Sequence, residues 1–162
     1  GDESEDASYR MAIAQERFSS LDNIWHDHRV PRPLKINLYV ASVCSTFTHG
    51  CDTWTLKQPI IRKVNGFNSR CLHNITGCSY RDEAVTPTYN LVRAVRQRHM
   101  RWLGHILRMP AERLVRQIIC HLAIGGPPYP AGSLLMDCHI PFDELVTLAE
   151  DRAGWEARVK NL

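Results

Sequence analysis

Residues 90–109 read NLVRAVRQRHMRWLGHILRM, and the fold is decided by how this stretch is read. At about 100° per residue, Val92, Val95, Trp102, Leu103 and Ile106 gather on one side of a helical wheel. Arg93, Arg98, Arg101, His105 and Arg108 gather on the opposite side, with Arg96 near the boundary. The spacing predicts a helix with one apolar face and one basic face about 20–30 Å long. Pro110 follows it directly.

The same period recurs on both sides of this helix. Upstream, Ile60, Ile61, Val64, Phe67, Cys71, Leu72 and Ile75 predict a helix from Pro59 to Thr76, and Gly77 suits the position just past its end. Met11, Ala14, Phe18, Leu21 and Trp25 predict another over Ala7 to His26, ended by Pro31 and Pro33. Residues 34–50 read as helix too, although Val40, Val43 and the threonines also suit a strand. Downstream, a helix is expected from Ala111 to Ala123 and an amphipathic one from Pro141 to Val159. The fold class expected is all-α, an irregular bundle of five or six helices. Its parts are a disordered acidic lead over 1–9, a helical domain over 10–124, a Gly/Pro-rich linker over 125–140 and a C-terminal helix over 141–162.

Composition bounds what such a bundle does. The 162 residues suit one domain with an appendage, and 44% hydrophobic residues suffice for a core. A net charge of +3 permits an anionic partner without demanding one. No apolar run approaches the ~20 residues that span a bilayer, so a transmembrane protein is not expected. Cys44, Cys51, Cys71, Cys78, Cys120 and Cys138 are scattered without a CxxC pair, and the start is acidic rather than signal-like. Reduced, mostly buried thiols and an intracellular location are expected.

Little in the sequence carries catalytic chemistry. His26 with His28, Cys71 with His73, Cys120 with His121 and Cys138 with His139 lie close, but none has the paired spacing of a zinc site. There is no G-x-S-x-G elbow. Asp82-Glu83 and Asp143-Glu144 are adjacent and would not face one another on a helix. Gly125-Gly126 leads into two prolines rather than a phosphate-cradling helix. No enzyme activity, metal or cofactor is expected. Trp25, Trp102 and Trp155 lie on apolar faces and read as core; Trp54, near a turn, is expected to be the most open.

The basic face is therefore the candidate site: Arg93, Arg96, Arg98, Arg101, His105 and Arg108. Guanidinium groups offer planar paired donors that match phosphate, so RNA or DNA backbone is the expected partner. The plain alternative is a solvated face, or arginines paired with carboxylates of a neighbouring protein. The nearest acids along the chain, Glu83 and Glu112, lie outside the helix, which favours an external anion. A second function is equally open: a structural or linker subunit of a multiprotein or ribonucleoprotein assembly. The Gly/Pro linker and a detached terminal helix would then serve protein contacts.

Several stretches together resemble the C-terminal region of non-LTR retrotransposon reverse transcriptases. They run in order from Ile13-Ala14-Gln15, Phe18, Leu21, Ile24 and Trp25 to Leu34-Lys35, Leu38-Tyr39, Val43 and the turn His49-Gly50-Cys51-Asp52-Thr53-Trp54. Ile61 to Asn65, Phe67-Asn68, Arg70-Cys71-Leu72 and Ile75-Thr76-Gly77 follow. The strongest piece is Arg98 to Met109, which resembles the family's arginine-rich R-x-R-W-x-G-H-x-L-R-M. Asp151-Arg152 and Trp155 in the tail are also similar, so the resemblance covers nearly the whole chain from Arg10. His99 and the run Thr46-Phe47-Thr48 depart from it. The resemblance implies a thumb and post-thumb region, whose helices contact template or primer. The palm's paired aspartates and the endonuclease have no counterpart, so no polymerase metal site is implied. It also implies either a piece of such an enzyme or a remnant recruited to a new task.

Overall fold

The computed structural model describes residues 3–54, 56–77, 89–125 and 142–162. All regular structure in them is helical: α1 Glu3–Ser19, α2 Asp22–His26, α3 Arg32–Leu38, α4 Ser45–Phe47, α5 Gln58–Thr76, α6 Leu91–Leu107, α7 Leu114–Gly125, α8 Phe142–Glu150 and α9 Arg152–Lys160. A π-helical turn, Tyr39–Cys44, joins α3 to α4, and a 3-10 turn, Cys51–Thr53, follows α4. The fold is all-α, as the spacing predicts. The chain parts into two compact units within α6, after Ala94.

The first unit holds α1 to α5 and the start of α6. Its α1 begins at Glu3, so the acidic lead expected to be disordered is helical from there on. Acidic side chains suit the positive end of a helix, Asp6 pairs with Arg10 one turn on at 3.9 Å, and Ala7 is already buried. The single helix expected over Ala7 to His26 is interrupted at Ser20 and Leu21. Residues seven apart in a continuous helix would stand about 10 Å apart along its axis. Here the rings of Phe18 and Trp25 stack at 5.1 Å, and the Trp25 indole donates to the Phe18 carbonyl at 2.8 Å. The break permits both contacts. Pro31 and Pro33 do bound a helix, as the start of α3.

The segment read as helix in spite of its β-branched residues is helical, with a π turn inside it. Its hydroxyls turn back onto the helix's own carbonyls. Ser42, Thr46 and Thr48 donate to the carbonyls of Leu38, Ser42 and Cys44 at 2.7, 2.7 and 2.9 Å. These bonds satisfy carbonyls around a turn that is locally overwide. α5 packs against α1, α2 and α3. Tyr39, fully buried, donates to Asn68 Oδ1 at 3.0 Å, and Asn68 donates to the Tyr89 carbonyl at 2.8 Å. Burial raises the Tyr39 hydroxyl pKa far above its ordinary value. The Cys44 and Cys71 thiols beside it are pushed up to about 12, again chiefly by burial. Cys44, Cys71 and Cys120 are free thiols. Cys78 and Cys138 lie outside the described residues. Gly77 ends α5 in the left-handed conformation at φ 66°, as its position predicts.

The second unit holds the segment Asp52–Leu56 and the rest of α6 with α7, α8 and α9. Met100, Leu103, Ile106 and Leu107 of α6 form one core with Ile119, Leu145, Ala149, Trp155 and Val159. The expected boundary after residue 124 is thus not where the chain parts, and the terminal helices are not detached. They cover the apolar side of α6, which could not stay exposed cheaply. The single terminal helix expected is two, because Asp151 leaves helical geometry and caps α9, accepting from the Ala153 amide at 3.1 Å. The Gly/Pro stretch beyond Gly125 lies outside the described residues. Among the described residues no helix is long and apolar enough to cross a membrane.

Candidate nucleic-acid interface

α6 starts where Asn90 accepts the Arg93 amide on its side-chain oxygen at 2.9 Å, an N-cap that satisfies one of the first turn's amides. From there the wheel holds. Val95, Leu103 and Ile106 are buried, while Arg93, Arg98, Arg101 and His105 are exposed. Arg96 is half-buried on the flank, in keeping with its boundary position. Within the second unit, Arg98, Arg101 and His105 run along about 10 Å of helix, at about 1.5 Å per residue.

Two of the arginines meet carboxylates of their own unit. Arg101 donates from Nε and Nη2 to Glu156 Oε1 at 3.3 and 3.2 Å. Arg98 Nε lies 3.7 Å from Asp52 Oδ1, an ion pair too long for a hydrogen bond. Both pairs are solvent-exposed, so each is worth about 1 kcal/mol or less. Glu83 lies outside the described residues, and no local pattern pointed to the pairs with Asp52 and Glu156. Glu156 arrives 55 residues along the chain. It is placed by its neighbour: the Trp155 indole donates to the Met100 carbonyl at 3.1 Å. Gly104 makes that approach possible, since a Cβ there would lie 2.6 Å from Trp155 Cε2 and nearer still to Nε1.

Arg108 does other work. Its Nη1 donates to the Ala149 carbonyl at 3.0 Å, setting a cation at the C-terminal end of α8. Trp54, expected to be open, is only 1% exposed; Trp25 and Trp155 are buried as expected, and Trp102 is half-buried. No exposed tryptophan therefore accompanies the basic face among the described residues. Nor do those residues bring together three or more side chains able to hold a metal ion. The face offers charge and donors for an extended anion, with no nucleophile set among them. No family model, curated protein or solved structure matches this chain.

Proposed function

We propose that this chain is a non-catalytic helical domain that binds nucleic acid, an RNA-type backbone, through the basic face of α6. The observation that carries it is the exposure of Arg98, Arg101 and His105 along one face of α6 in the second unit, opposite the buried Leu103 and Ile106; Arg93 precedes them by more than one turn in the sequence. The exposed pairs with Asp52 and Glu156 do not prevent this. A phosphate can replace a weakly held carboxylate, and each replacement releases a counterion. The resemblance to the helical region after a reverse-transcriptase palm supports the same reading. The test is fluorescence anisotropy with a labelled RNA duplex across a salt series. Three phosphate contacts give a log–log slope of about −2.7, and Arg98→Ala with Arg101→Ala lowers its magnitude by about 1.8. Affinity unchanged by both substitutions, or indifferent to salt, overturns the reading.

A second reading rests on a different observation. Leu114, Val115 and Ile118 of α7 are 68%, 47% and 46% exposed and neighbour one another on the helix. Such a patch suits a structural subunit of a protein or ribonucleoprotein assembly. Purification from source cells with and without ribonuclease separates the two. Release by ribonuclease supports the basic face, and retention in a large assembly supports the α7 patch.

A further inference from the structure

The first unit contains a cavity of about 600 Å³ between the α2–α3 connection and the end of α5, remote in sequence from the basic face of α6. Its wall is mixed. Trp25, Val30, Pro31 and Ile75 are apolar, His26, His28, Arg32 and Lys35 are basic, and Asn74 and Thr76 are neutral polar residues. The volume falls within the ~300–1,000 Å³ of small-molecule sites, and the wall is more polar than is usual for them, which suits a charged guest.

Lys35 is the unusual member. It is 6% exposed, and its ammonium donates to the Trp25 carbonyl at 2.6 Å. An ammonium has three donors, so this bond leaves capacity for a guest. Burying such a cation costs free energy unless an anion or several acceptors offset it. The nearby carboxylates are already engaged. Asp27 is gripped by Arg29, with Nε at 3.0 and 3.2 Å from its two oxygens and Nη2 at 2.8 Å. Asp22 lies 3.4 Å from His26 Nδ1. Asp27 is held chiefly by Arg29 and feels Lys35 only through space, so with Arg32 the cavity keeps a net positive charge. The C-terminal end of α5 also faces it, but that end carries only about half a negative charge.

From this we infer that the cavity binds a small organic phosphate of about nucleotide size. The phosphate lies against Lys35 and Arg32, and the organic part lies on Pro31, Val30 and Ile75. Two fixed cations match a phosphate's charge of about −1.5 to −2 better than the single charge of a carboxylate. His26 and His28 add donors at the rim, where both are exposed.

The experiment is isothermal titration of the whole chain with ADP, pyrophosphate and adenosine. ADP and pyrophosphate bind at one site per chain, and adenosine binds at least about tenfold more weakly, the worth of a charge-assisted contact. Lys35→Met, which keeps the stem and removes the charge, weakens ADP by a similar factor. Arg32→Gln weakens it as well; Arg32 is exposed, so this variant folds even if the lysine variant does not. Arg98→Ala leaves ADP binding unchanged, which separates this site from the α6 face. Absence of heat with ADP and pyrophosphate, equal binding of adenosine, or insensitivity to Arg32→Gln overturns the inference. So does a 5′-phosphorylated RNA that binds here far more tightly than ADP, since the guest is then a nucleic-acid end.

Discussion

Cys44 and Cys71 show how burial sets the chemistry of a side chain, since it outweighs the Tyr39 hydroxyl that would lower both thiols. Both thiols lie against Tyr39, in a core that no charge reaches cheaply, and their pKa values stand at about 12. An unfolded cysteine ionises near 8.5. Below that value neither state is ionised and the fold keeps its full stability. Between about 8.5 and 12 the unfolded chain loses protons that the folded chain retains, so stability falls as pH rises, by at most about 1.4 kcal/mol per pH unit per thiol. Denaturant unfolding at pH 8.0 and 9.5 should show this loss, in a range below the ordinary tyrosine and lysine values. The Cys44→Ala, Cys71→Ala double variant should lose most of the pH dependence, and an unaltered slope would count against the buried-thiol account.

The pairing of α6 with α9 turns on the absence of one methyl group. Trp155 lies over Gly104 with its indole nitrogen on the Met100 carbonyl. Gly104→Ala raises helix propensity by about 1 kcal/mol but drives a Cβ into the indole. The clash wins, because overpacking costs about 1–3 kcal/mol and the lost hydrogen bond about 1 more. Thermal unfolding of the variant should therefore show a lower Tm, accompanied by altered tryptophan fluorescence; an unchanged Tm would show that α9 does not depend on this contact. Elements of this kind also mark how far the sequence could be read. The period of α6, the end of α5 at Gly77 and the proline boundary of α3 are local, and each was legible. The breaks at Ser20 and Asp151 were not. One goes with a Phe18–Trp25 stack that a continuous helix would not allow and the other with a side chain that competes for backbone amides, and apolar spacing registers neither. The helical state of 39–47 was legible from its apolar spacing, although its branched residues also suit a strand, and its hydroxyls bond back to carbonyls one turn earlier. In the site, exposure of Arg93, Arg98, Arg101 and His105 followed from the wheel. The partners Asp52 and Glu156, and the turn of Arg108 onto Ala149, came from segments far along the chain.

For the molecule as a whole, the surface left over after packing matters as much as the core. α7 gives Ile119 to the core of the second unit yet leaves Leu114, Val115 and Ile118 in solvent. Three adjacent aliphatic side chains on one helix are more than the isolated exposed leucine that any surface tolerates. A net charge of +3 gives only mild repulsion between copies. The purified chain should therefore associate as its concentration rises, in a manner that added salt strengthens rather than dissolves. Leu114→Ser combined with Ile118→Ser should suppress the association while leaving helical content unchanged, because neither side chain is buried. Sedimentation velocity across a concentration series checks this directly. A wild-type chain that stays monomeric throughout would remove the observation that favours a structural-subunit role, leaving the basic face of α6 as the surface to explain. Association that persists in the double variant would place the contact elsewhere, with the same consequence for α7.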